Sequence, residues 1–105
     1  MYYSPQDATK EIKNRLRNGG RIIFTYHAED EMDDDCIDDL EITAAIKSGS
    51  VRNAGKEKDG EYTYKIESNL SGGIAVIVAI PDEEPNVIVV TTFRQPGKKL
   101  KKVRR

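Results

Sequence analysis

The chain has one cysteine, one histidine and no tryptophan in 105 residues. The single cysteine, Cys36, excludes an internal disulfide and any multi-cysteine zinc site. A lone histidine likewise supplies no zinc set, and Asp33-Asp34-Asp35 lacks the glycine and spacing of a calcium loop, so neither metal nor cofactor is expected. No charged-then-apolar leader opens the sequence, and no apolar run approaches the roughly 18 residues that a membrane span needs. The expectation is a protein of a reducing compartment, the cytoplasm by default, with no membrane partner.

What is present is charge, and it is unevenly placed. Charged residues make up 33% of the chain and nearly cancel, leaving a formal net charge of -1. Yet between Ala28 and Ile46 stand nine carboxylates, Glu29, Asp30, Glu31, Asp33, Asp34, Asp35, Asp38, Asp39 and Glu41, with no Lys or Arg. From Arg94 onward the sign reverses: seven cations, Arg94, Lys98, Lys99, Lys101, Lys102, Arg104 and Arg105, and no acid. Segregation of this kind bears on partners more than net charge does. The acidic stretch reads either as a solvated helix face or as a docking surface for a basic protein. The basic run reads as a solubilising tail or as a contact for nucleic acid or an acidic partner. The two blocks can also attract each other, within one chain or between the copies of a homodimer.

The length suits one domain with one core. Ser4-Pro5-Gln6-Asp7 is a helix start, with Ser4 as N-cap and Pro5 at the first helical position. Ile12 and Leu16 then face the core, Lys10, Lys13, Arg15 and Arg17 face outward, and Gly19-Gly20 ends the helix near Asn18. A short strand over 21–25 precedes a brief helix over 28–33, broken at the acidic triple. Asp38 and Glu41 form a capping box with Ile37 and Ile42 as its hydrophobic staple, and Gly49 stops that helix. Next come a short strand over 51–54 and a charged hairpin turn over 55–60. Residues 61–67 alternate with period two, placing Tyr62, Tyr64 and Ile66 on one face and Thr63, Lys65 and Glu67 on the other. The nearly all-apolar runs 74–80 and 87–93 are expected as central strands. The fold expected is α+β: two to three N-terminal helices packed on a mostly antiparallel four- to five-stranded sheet, over residues 1–93, followed by a basic C-terminal tail, 94–105.

His27 is the first candidate for acid–base chemistry, because a strand end followed by a helix start holds it at a rigid junction and imidazole titrates near neutrality. His27-Ala28 with Met32 beyond, a helix ending Ala45-Ile46-Lys47-Ser48-Gly49, the strand around Tyr62-Thr63-Tyr64, a glycine-rich bend, an apolar strand and a closing Val90-Thr91-Thr92-Phe93 together resemble the prokaryotic family called domain of unknown function 4258. The resemblance spans about Ile22 to Phe93. Members of that family usually carry an arginine two or three positions after the methionine, where this chain has Asp34 and Asp35.

The resemblance implies kinship with RelE- and BrnT-like toxins, a RelE/barnase-like two-layer arrangement, and a toxin-type, metal-independent endoribonuclease with RNA as substrate and a cognate antitoxin protein as partner. Such cleavage needs a base, an acid and cations facing the phosphorane. His27 is the candidate base or acid, with Lys65 and Arg94 as catalytic cations. Arg52, Tyr62, Tyr64, Thr91 and Thr92 are candidates for substrate contact, the tyrosines by stacking and the threonines by hydrogen bonds to phosphate. The other reading is a noncatalytic protein- or RNA-binding module that works through the acidic helix or the basic tail, since nine carboxylates beside His27 repel a polyanion.

Overall fold

The Ser4 hydroxyl accepts the Asp7 N–H at 3.2 Å and so caps α1 (Pro5–Arg17), with Pro5 at a position that needs no N–H. The computed structural model describes residues 2–58, 61–69 and 73–94. Helix α1 buries Ala8 and Ile12 and closes at Asn18, after which Gly19 takes a positive φ of 97°. Gly20 is required by crowding: a Cβ there would overlap the carbonyl oxygens of Pro85 and Arg15.

After β1 (Ile22–Phe24) the chain enters α2 (Tyr26–Asp35), capped by Thr25, whose Oγ1 accepts the Ala28 N–H at 3.0 Å. The helix is longer than the predicted 28–33 at both ends. Its N-cap is hidden inside a β-branched run. At the other end, burial of Ala28 and Met32 and packing against the last strand hold helical three aspartates whose propensity is poor. The break falls one residue later, at Cys36, which adopts the left-handed conformation (φ 55°).

The capping box of α3 (Asp39–Ser48) is complete: Asp38 Oδ1 accepts the Glu41 N–H at 2.8 Å, and Glu41 Oε1 accepts the Asp38 N–H at 3.1 Å. Ile37 and Ile42, the predicted staple, are both buried, and Gly49 is the C-cap.

The remaining strands are β2 (Ser50–Lys58), β3 (Glu61–Ser68), β4 (Ile74–Ala79) and β5 (Val87–Arg94). They form a five-stranded sheet ordered β1-β5-β4-β3-β2. Three helices and this sheet make an α+β fold in which β1 separates α1 from the other two helices. β1 runs parallel to β5 and every other pairing is antiparallel, so the sheet is mixed. The two apolar runs are central strands, as expected. The predicted turn over 55–60 gives way to strand: β2 stays paired with β3 as far as Lys58 opposite Glu61, with irregularities between Val51 and Asn53 and between Ala54 and Lys56. Those two register shifts accommodate the charged segment in the ladder without continuous alternation. Residues 95–105, most of the predicted tail, lie outside the described residues.

One core holds the layers together. Tyr64 and Ile66 from β3, Ile74, Val76 and Val78 from β4, and Val87 and Val89 from β5 pack with Ile12 of α1, Met32 of α2 and Ile42 and Ile46 of α3. Thr63, Lys65 and Glu67 alternate onto the other face, in register with Ala79, Ile77 and Ala75 of β4. Edge strand β2 is tied to α1 by Thr9, whose Oγ1 accepts the Val51 N–H at 3.0 Å and donates to the Pro5 carbonyl at 2.9 Å. Among the described residues no helix is long and apolar enough to cross a membrane.

Candidate functional site

His27 lies in the first turn of α2, exposed, its imidazole making no hydrogen bond or ion pair to a described residue. The cations nominated to act with it stand elsewhere. Arg94, at the end of β5, reaches the far end of the same helix: Nε donates to the Asp35 carbonyl at 3.1 Å and Nη2 to the Cys36 carbonyl at 2.8 Å. Nη2 also lies 3.4 Å from Glu41 Oε2, and the Arg94 backbone N–H donates to Asp35 Oδ2 at 3.2 Å. At 1.5 Å per residue, His27 and Asp35 are about 12 Å apart along the axis. Arg94 thus satisfies carbonyls left open at a helix C-terminus and offsets three aspartates at the negative end of its dipole.

Lys65 projects from β3 on the face away from the helices. Its Nζ sits 5.6 Å from the centroid of the Phe93 ring and 3.4 Å from Glu67 Oε2. Three strand spacings, about 14 Å, separate β3 from β1, and Arg52 on β2 is one spacing further. Thr91 shares the Lys65 row, since both pair with Ile77 of β4, and it is half-buried. Thr92 alternates inward, fully buried, with Oγ1 donating to the Ala75 carbonyl at 2.9 Å. Tyr64 is 1% exposed and its hydroxyl accepts the Tyr3 N–H at 2.9 Å. Burial pushes its phenol above the ordinary tyrosine range, against the opposing effect of that hydrogen bond. The sequence expectations for Tyr64 and Thr92 therefore need correction: both are core residues whose hydroxyls are engaged inside the protein, out of reach of a base or a phosphate. Of the nominated groups, the structure brings Lys65 and Thr91 onto one row. It assembles no cluster of His27, Lys65 and Arg94.

Tyr62 has a different setting. It is half-buried at the rim of the core, and the Tyr2 ring stands against it edge-on, centroids 5.1 Å apart. Tyr2 is 53% exposed and lines a groove of about 650 Å³ along α1, with Tyr3, Asp7, Lys10, Glu11, Lys13, Asn14 and Arg17. Lys10, Lys13 and Arg17 stand three and four residues apart, hence on one helical face. Of the two acids there, Glu11 is paired with Arg15, its Oε2 accepting from Nε at 2.7 Å. Arg15 in turn donates to the carbonyls of Glu84 and Asn86, turning away from the groove. The helical pattern puts Lys10, Lys13 and Arg17 on the outer face of α1 but does not disclose the groove, because its aromatic wall joins residues sixty positions apart. The adjacent Tyr2-Tyr3 ahead of a cationic helix is the signal that could have found it. Among the described residues no group of three or more His, Cys, Asp or Glu side chains is placed to hold a metal ion.

The family described as "Domain of unknown function (DUF4258)" matches residues 24–94. This chain belongs to that family. No curated protein and no solved structure matches it. The matched DUF4258 region contains β1 apart from its first two residues, α2, α3 and the four following strands, and so includes His27 and Arg94 but not α1. The residues that line the cationic groove on α1, Tyr2 to Arg17, therefore lie outside the matched region.

Proposed function

We propose that this DUF4258 protein is a binding module for single-stranded RNA, without a cleavage step, and that RNA lies along the α1 groove. The observation that carries the reading is the pairing of an exposed aromatic ring, Tyr2 against Tyr62, with Lys10, Lys13 and Arg17 on one adjoining helical face. Single strands are held this way on other scaffolds: bases stack on aromatic rings while cations follow the phosphates, with little demand for sequence. The acidic surface after His27 is on another element, α2, so a polyanion on α1 need not cross it. The separation of His27 from Lys65 and Arg94 favours binding over catalysis, since general acid–base cleavage needs its groups within reach of one phosphate.

Fluorescence anisotropy with a mixed-sequence single-stranded RNA in EDTA tests this. Base stacking is worth about 1–3 kcal/mol, so Tyr2→Ala should weaken binding about tenfold. Lys10→Glu with Lys13→Glu should weaken it further and flatten its salt dependence, the logarithmic slope falling by roughly one for each phosphate that is no longer neutralised. Binding that ignores all three substitutions in folded protein refutes the site.

One observation favours a second reading, that of a toxin-type endoribonuclease kin to RelE- and BrnT-like proteins and restrained by an antitoxin: the His27 imidazole is exposed and has no partner among the described residues. The same incubations run on a gel decide it. Cleavage in EDTA that disappears in His27→Ala establishes the enzyme, and intact RNA in both supports the binding module.

A further inference from the structure

A second groove, of about 450 Å³, opens between β1, α2 and the link to α3. Its floor is apolar, formed by Phe24, Met32 and Ile37, and its rim is anionic, with Glu29, Asp33 and Asp39 exposed and the capping residue Asp38 beside them. An apolar floor within a ring of carboxylates fits a short segment that carries aliphatic side chains among lysines and arginines.

We infer that this groove receives the chain's own basic segment, Lys98 to Arg105, in cis. That segment has six cations and, among them, Leu100 and Val103 three residues apart. The aliphatic pair matches the floor and the cations match the rim. Its point of departure also fits. Arg94 is fixed against the end of α2, its N–H on Asp35 Oδ2, and Ile37 of the floor is two residues beyond Asp35. The four residues from Arg94 to Lys98 span up to about 13 Å when extended, enough to reach the rim. Exposed ion pairs are individually weak. A short tether raises the local concentration to the millimolar range, so interactions too weak for a separate peptide hold a segment of the same chain. Docked there, the segment neutralises carboxylates that otherwise repel one another and any polyanion.

The chain has only two methionines, Met1 and Met32, so a methyl-labelled spectrum shows the groove floor as one of two signals. The experiment uses the full chain carrying Cys36→Ser, with a nitroxide on the thiol introduced by Arg104→Cys. The Met32 methyl should lose most of its intensity relative to the reduced nitroxide. It should regain that intensity in 1 M salt, where the screening length is about 3 Å, and in the Glu29→Gln, Asp33→Asn, Asp39→Asn variant, which spares the cap Asp38. Loss of signal indifferent to both salt and carboxylate neutralisation reflects proximity without docking and overturns the inference, as does an unaffected Met32. Loss that appears equally when spin-labelled chains without the isotope are mixed with isotope-labelled chains lacking the nitroxide assigns the groove to a second copy and also overturns it.

Discussion

Replacing Arg94 with alanine separates a structural arginine from a phosphate-gripping one. In the fold, its guanidinium makes two hydrogen bonds to carbonyls at the end of α2 and stands 3.4 Å from Glu41, with the two side chains only 21% and 23% exposed. Truncation leaves the Asp35 and Cys36 carbonyls to water and removes a cation that offsets the aspartates at that helix end. Hydrogen bonds involving a charged group contribute about 1.5–3 kcal/mol net, and partial solvent replacement keeps the sum near the middle of that range, about 2 kcal/mol. For a domain of this size that is a fall in Tm of roughly 10 °C. Thermal unfolding followed by circular dichroism measures it, with RNA anisotropy on the same samples below the transition. Arg94→Lys, which keeps the charge but loses the planar fork, should fall between. RNA affinity should be unchanged in both. An unchanged Tm together with lost RNA binding would instead make Arg94 a ligand contact.

Other consequences follow from the same packing. Gly20→Ala places a methyl into the Pro85 and Arg15 carbonyls and should cost about 1–3 kcal/mol, read as a lower urea midpoint with an unchanged slope. Cys36→Gly relieves a left-handed conformation that suits glycine better and should raise stability by about 0.5–1 kcal/mol in the same assay. Tyr64 binds its proton more tightly folded than unfolded, so its contribution is complete below the ordinary tyrosine value of about 10 and is lost as pH rises through its higher folded value. Stability curves of wild type and Tyr64→Phe should therefore converge above pH about 10, and parallel curves throughout would contradict the assignment.

Local chemistry made much of this fold legible in advance. The Ser4 cap, the Asp38–Glu41 box and the stops at Gly19 and Gly49 are signals carried by neighbouring residues, and each stands where it was expected. The period-two run over 61–67 sorted the side chains onto two faces as observed, Tyr64 and Ile66 together and Lys65 opposite, without telling which face is the core. What failed depended on partners distant in sequence. Helix α2 extends because β5 packs on it and Arg94 relieves its end. β2 runs through a charged segment because β3 supplies its ladder. The parallel placement of β1 beside β5 has no local signature at all. The site followed the same rule: His27 was correctly placed at an exposed strand–helix junction, but alternation alone did not show that Tyr64 points into a closed core. Nor did it show that Tyr62 meets Tyr2 above a row of cations on α1.

RNA bound on α1 should leave α2 untouched. Titrating isotope-labelled protein with a short single-stranded oligoribonucleotide and following amide shifts tests it most directly. Changes should concentrate at Tyr2, Lys10, Lys13, Arg17 and Tyr62, with His27 and its neighbours still. Changes centred on His27, or none anywhere, would contradict it.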